Sequence, residues 1–497
     1  MAEHAGLTTV LRYFPFFSTH SSDDSRLFLA AAVCCERTVL SKSEQRCVGS
    51  PGMLLACGTR FKGTNMNNMN KLRMKRAAQI ILAVILGCSV ADVTRGYSVL
   101  THEAIIDSMW DKDIKPLLLQ RFPSASAEEL REAHAHAYGG AIIQDMGYYP
   151  LGSKFFSDLT HYVRSGDFVG ALIRDSKDLN EYAFAIGALC HYCADSDGHP
   201  IAINTSVPIL YPKLRRQYGD NVTYDENPSA HIRTEFGFDV LQVARGHYAS
   251  EDYHDFIGFK VSKPLLQRAF KETYGIELTS IFTSLDLALS TYRYSVNRII
   301  PTMTKVAWET KKGDIEKQAP GVTRDKFLYN LSQADYTKEW GTEYKRPGML
   351  AKVESVLFRI VPKVGPFKGF AIKPSTPETE KLFMQSFDAT VDSYRQMLRK
   401  VSAGNLKLQN KDLDTGRPAS VGEYRLADKT YAQILDKIAS HKFEHMPQDL
   451  RENILAFYGD TNANTATKKD RAEWQKTLRE LTDLKNAGGL AQPTARK

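Results

Sequence analysis

The stretch DLNEYAFAIGALCHYCADSDGHP, Asp178–Pro200, decides how the rest of the chain is read. It opens on an aspartate suited to a helix N-cap and continues as one apolar helix. His191 and Asp195 are four residues apart, so they share one helical face. His199 follows after four more. A row of His, Asp and His is a metal-binding stripe of nitrogen and oxygen donors. Gly198 and Pro200 predict that the helix frays there, which sets His199 on the turn after it. Cys190 and Cys193 lie beside the stripe, three apart. Two thiolates do not close a structural zinc site, and residues three apart in one helix fit disulfide geometry poorly. Packing is therefore the expected role of both cysteines.

The same device recurs downstream in SAHIRTE, Ser229–Glu235, where His231 and Glu235 are also four apart. Ser229 is the expected N-cap, and Phe236, Val240 and Val243 supply a core face. Two helices that each present a ligand-type pair are stronger evidence than either alone. The histidines support this placement: nine of the 13 lie between His102 and His254, and none follows until His441. His441 and His445 are four apart without an acid in matching pattern, and two ligands do not close a site. Thr101-His-Glu-Ala-Ile-Ile begins like the zinc-protease signature HExxH, but Ile106 stands where the second histidine belongs.

The composition excludes several classes. With 43% hydrophobic and 25% charged residues, the 497-residue chain is long enough for a sizeable core. The net charge of +8 favours anionic surfaces or phosphates only weakly at this length. No basic run interleaved with aromatics marks a nucleic-acid groove. Seven cysteines, none of them after Cys193, exclude a disulfide scaffold.

Met74–Gly96 reads as a secretory signal, with a basic start and an apolar stretch from Ile80 to about Ala91, too short to span a bilayer comfortably. Cleavage after Gly96 leaves Tyr97 as the new N-terminus; cleavage after Ala91 is the alternative. A lipoprotein anchor at Cys88 fits less well, because Leu86 suits that signal poorly. Residues 1–73 are expected to be a non-native or disordered leader. Beyond the signal the chain is expected to be all-α: a catalytic helical domain over 97–310, a helical accessory region over 311–402 and a polar helical tail over 403–497. Apolar spacing predicts helices over 281–308, 378–401, 431–440 and 469–484.

Six separated segments now align in order and ligand type: YSVLTH, the lone Asp of GGAIIQDMGYYP, SDLTHY, HYCAD, GHP and HIRTE. In this order the chain resembles the zinc-dependent phospholipases C of bacteria, over about Tyr97 to Ile300. It also resembles the zinc-dependent single-strand nucleases of fungi and plants. The resemblance implies an all-helical fold holding three zinc ions. It implies that Tyr97 binds through its amine and carbonyl, followed by His102, where the family usually carries Trp. It implies that Asp145, His161, His191 and Asp195 hold a zinc pair, with Asp195 bridging. The resemblance also implies that His199, His231 and Glu235 take the third ion, although the step from Asp195 to His199 is two residues shorter than the family's and Ile201 occupies the usual place. His134 and His136, just before Asp145, are expected to support the ligands, to stand in for a missing one, or to lie on an exposed helix face.

Zinc ions in such a set lower the pKa of water and neutralise phosphate oxygens. Asp145 is the expected catalytic residue, as ligand and as orienter of the attacking water. The implied function is phospholipase C, secreted or periplasmic, acting on phospholipid headgroup esters with peripheral membrane contact. A single-strand nuclease or nucleotidase is the first alternative, and nucleic acid is a partner only under it. A non-catalytic secreted metal- or lipid-binding protein is the second. Tyr148, Tyr149, Phe155 and Phe156 flank Asp145 and His161 and are expected to line the substrate or to pack in the core. No protein partner is implied.

Overall fold

The structure, a computed structural model, describes residues 99–245, 259–296, 308, 312–317, 319–323, 373–459 and 471–487. The expected leader, signal segment and N-terminus at Tyr97, and His247 and His254, lie outside the described residues. The first helices are α1 (Val99–Met109), α2 (Lys115–Arg121), α3 (Ala127–Ile143), α4 (Lys154–Tyr162), α5 (Ser165–Asp175) and α6 (Leu179–Gly198). Next come α7 (Asn204–Leu210), α8 (Pro212–Tyr218), α9 (Pro228–Arg245), α10 (Lys263–Tyr274) and α11 (Leu285–Tyr294). The C-terminal part adds α12 (Pro377–Ser402), the two-residue strands β1 (Lys411–Asp412) and β2 (Arg417–Pro418), α13 (Arg425–Ser440), α14 (Gln448–Phe457) and α15 (Arg471–Ala487). The strands pair antiparallel, Lys411 with Pro418 and Asp412 with Arg417. The fold is all-α, as the periodicity predicts.

The caps explain where the helices start. Asp178 accepts from the Glu181 amide and opens α6, as expected. Ser126 and Glu129 close a capping box at α3, and Thr376 and Thr379 close one at α12. Two expectations are corrected. The cap of α9 is Asn227, whose side chain accepts from the Ala230 amide at 2.9 Å, and not Ser229. Pro228 fits the first helical position, where no N–H is needed, so the cap moves one residue upstream. The chain also does not fray at His199. It passes into a π-helical turn, His199–Ile203, and on into α7. The His199 amide still bonds the Asp195 carbonyl, and Pro200 sits in the first turn of this segment. The helix expected from 281 begins only at Leu285, because Ser284 caps it after a 3₁₀ turn over Leu278–Ile281.

One apolar core runs through both ends of the sequence. It joins Phe184, Leu189 and Ile143 of the early helices to Tyr394, Leu398, Leu413 and Ile434 of the late ones. All described residues fall within a single unit. Cys190 and Cys193 are free thiols buried in this core. Burial drives the Cys190 thiol well above its ordinary pKa and the Cys193 thiol to about 12, which suits inert packing.

At the centre, α3 crosses α6 at close range. A Cβ on Gly187 would stand 2.0 Å from the Ala137 carbonyl oxygen, and one on Gly140 would stand 1.9 Å from that of Phe184. Backbone on backbone leaves nothing flexible to yield. Gly187→Ala is expected to cost about 3 kcal/mol in denaturant unfolding, since overpacking a rigid contact forces the helices apart. A cost below about 1 kcal/mol would contradict this crossing. The contact matters to the site, because it brings the α3 backbone against His191 one turn further along α6.

Candidate metal centre

The close crossing lets the His191 Nδ1–H donate to the Ala141 carbonyl at 2.8 Å. On α4, the His161 Nδ1–H donates to the Ser157 carbonyl at 2.7 Å. Each bond turns the other ring nitrogen inward, and the two Nε2 atoms meet at 3.2 Å. A neutral ring that donates from Nδ1 presents a lone pair at Nε2. Two lone pairs at that distance require positive charge between them, either a proton or a cation.

Carboxylates converge on the same point. Asp195 Oδ2 stands 3.2 Å from His191 Nε2 and 3.3 Å from His161 Nε2. Asp195 Oδ1 stands 3.5 Å from His102 Nε2 and 3.7 Å from His199 Nε2. Asp145, on the 3₁₀ turn Gln144–Tyr148 after α3, brings Oδ1 to 3.4 Å from His161 Nε2. The His102 ring stacks on that of His191, with centroids 4.5 Å apart. Two triads therefore have ligand atoms within 4.8 Å of one another: His102, His191 and Asp195, and Asp145, His161 and His191. All five side chains are buried.

These residues fit a divalent cation. Both Asp195 oxygens and Asp145 Oδ1 are buried and accept no hydrogen bond. Buried carboxylate oxygens without donors are costly unless a charge compensates them. Without a metal, the charges must rearrange. Burial disfavours a charged His161, but Asp145 and Asp195 push its pKa up to about 10. Burial also works against an ionised Asp195, yet the rings of His191 and His199 hold it well below the usual carboxylate range. Asp145 is raised, chiefly by burial.

The set expected for a third ion has a different geometry. His231 Nδ1 lies 2.6 Å from Glu235 Oε1, and its Nε2 lies 2.8 Å from Asn204 Oδ1. His199 turns Nε2 toward Asp195 and places Nδ1 3.2 Å from Asp414 Oδ1. The His199 and His231 rings are neighbours, with centroids 5.0 Å apart. Among the described residues these three do not close into a triad as the other two sets do.

The remaining candidates lie elsewhere. His134 stacks on Trp110 and faces Asp107 Oδ1 at 3.0 Å. His136 is buried beside Ser262, and burial together with Lys260 and Arg293 lowers its pKa to about 3. Neither is on an exposed face. His441 bonds the carbonyl of Lys437 at an exposed helix end. Phe156 packs against Phe270 and Phe282 in the core, and Tyr149 against Tyr292. Tyr148 is buried too, its ring centroid 5.8 Å from that of His161.

Sequence reasoning missed Asp414, which stands beside His199 from more than 200 positions downstream. Its neighbours KDLDTG give the signal of an acidic turn with glycine, but no spacing ties that turn to the histidines. It also missed Glu103, next to His102, whose two buried carboxyl oxygens have no hydrogen bond. Burial, then Asp107 and Asp239, raises the Glu103 carboxyl well above its usual range.

The fold and the cluster define an all-helical protein with a buried His/Asp centre suited to divalent metal. Residues 101–284 match the family model for zinc dependent phospholipase C. The match covers every described residue of the centre except Asp414, and it assigns this segment to the zinc-dependent phospholipase C family, a family of hydrolases. No curated protein and no solved structure matches the chain.

Proposed function

We propose that the protein is a secreted or periplasmic phospholipase C that hydrolyses the headgroup phosphodiester of phospholipids with water. The observation that carries this reading is the convergence of His102, Asp145, His161, His191 and Asp195 on one buried point. Three zinc ions are the proposed complement: one on the Tyr97 amine and carbonyl with His102 and Asp195, one on Asp145, His161, His191 and Asp195, one at His199, His231 and Glu235. Zinc held there supplies positive charge for the phosphate oxygens and lowers the pKa of water. Asp145 orients the attacking water and accepts its proton. The carbonyls of Ala141 and Ser157 hold the His191 and His161 rings in register.

The surroundings support a lipid over a nucleic acid. Leu151 and Leu287 are both exposed, at 59% and 47%, and their segments are tied by the Thr291 hydroxyl donating to the Pro150 carbonyl at 2.5 Å. They support peripheral contact with a membrane. No helix among the described residues is long and apolar enough to cross one.

The test uses protein that begins at Tyr97. A chromogenic phosphocholine ester should be hydrolysed, chelator should abolish the activity, and zinc should restore it. Cleavage of single-stranded DNA with no action on the ester would move the assignment to a nuclease. Zinc uptake with turnover of neither would leave a metal-binding protein without this activity.

A further inference from the structure

The turn between β1 and β2 sits on the metal centre. The Leu413 amide donates to the His161 carbonyl at 3.2 Å. The Asn204 side-chain amide donates to the Asp414 carbonyl at 2.8 Å, and the same side chain meets His231 through its oxygen. Gly416 adopts φ +69°, and a Cβ there would stand 2.4 Å from the Ser196 carbonyl oxygen on α6. Only glycine permits both that conformation and that approach. Asp412 holds the turn from within, accepting from the Asp414 amide at 2.9 Å and from the Thr415 hydroxyl at 2.9 Å. The turn is therefore fastened to helices that carry His161, Asp195 and His199.

The Asp414 carboxylate is divided between two tasks. Its Oδ2 accepts from the Tyr162 hydroxyl at 2.8 Å and from the Tyr424 hydroxyl. Its Oδ1 faces His199 Nδ1 at 3.2 Å, and the opposite nitrogen of that ring faces Asp195. Asp414 and His199 are both buried. An anion on one ring nitrogen fixes the proton there and leaves the other nitrogen as a donor of electrons. Metal-binding imidazoles are generally oriented by such a partner.

We propose that Asp414 is a positioning residue of the metal centre: it holds His199 by Nδ1 so that Nε2 is presented beside Asp195. The inference rests on the zinc reading above. It gives the C-terminal part, which the family match does not reach, a direct role in the centre.

The test is a double-mutant cycle read by zinc affinity, with zinc alone titrated against a chromogenic competing chelator on protein that begins at Tyr97 and keeps the whole C-terminal part. Asp414→Asn should weaken zinc binding by about 10- to 100-fold, the usual cost of losing an outer partner of a ligand. In a His199→Ala background the same change should have almost no further effect, because the group it acts through is gone. Tyr424→Phe, which loosens the carboxylate without removing it, should give a smaller loss that also disappears with His199→Ala. It decides the matter if Asp414→Asn does not accumulate as folded protein. Undiminished affinity in Asp414→Asn, or losses that simply add to that of His199→Ala, overturn the proposal. If the unaltered protein takes up no zinc, the zinc reading itself has failed.

Discussion

Asp195→Asn should lower hydrolysis of the phosphocholine ester by about 10³-fold or more and empty the zinc pair; the loss of a single electrostatic contact in a dry active site already costs about 10²- to 10³-fold. The argument is one of charge at a point. Asp195 lies within 3.2 to 3.7 Å of a nitrogen from each of four histidines. Asparagine removes the negative charge and substitutes an N–H₂ donor for one of the oxygens. The inward ring nitrogens then lose the acid that makes their cluster tolerate two cations side by side. Helix α6 itself should persist, because its hydrogen bonds and its Asp178 cap are untouched. Elemental analysis and circular dichroism separate the outcomes: zinc falls while helicity stays. Cys193→Ala is the control, since a buried neutral thiol in the core should be dispensable to the metal. Full zinc content in Asp195→Asn, with activity within tenfold, would falsify the bridging role.

Much of this centre was legible because it is local. His191 and Asp195 lie one helical turn apart, so chain spacing and spatial spacing coincide. Asp145 and His161 carry no such spacing signal, and only the resemblance to the zinc-dependent family pointed to them. The Asp178 cap, the α12 helix and the packing role of Cys190 and Cys193 follow from equally local rules. What escaped was set by tertiary contact. Asn227 displaced Ser229 as cap because Pro228 took the first helical position. The turn at His199 stayed helical because the chain downstream keeps packing on the core. Asp414 was invisible because the carboxylate beside His199 is fixed by Tyr162, Tyr424 and the docking of a distant turn. Contacts across more than 200 residues leave no periodicity in the sequence.

Emptying one zinc site should lower the melting temperature by roughly 10 °C, and the gap between loaded and metal-free protein should widen as pH rises from about 6 to 8. One site at a free zinc concentration of 1,000 times its Kd contributes about 4 kcal/mol. Each kcal/mol moves the midpoint of a domain this large by about 2–4 °C. The pH dependence follows from His161. Burial opposes its charge, but Asp145 and Asp195 raise its pKa from 6.5 to about 10 in the metal-free protein. A pKa raised on folding gives stability that is fully present below the unfolded value and is lost as pH climbs through the folded one. Metal-free protein should therefore lose stability progressively from about pH 6.5 toward pH 10 on account of this group. Zinc reverses the trend. To bind at Nε2 it must displace the proton held there, so its affinity gains about one decade per pH unit while that proton is present. Differential scanning calorimetry with and without chelator across this range measures both slopes. A gap that narrows with rising pH would mean that the proton between the two rings and the two carboxylates is not what the metal replaces.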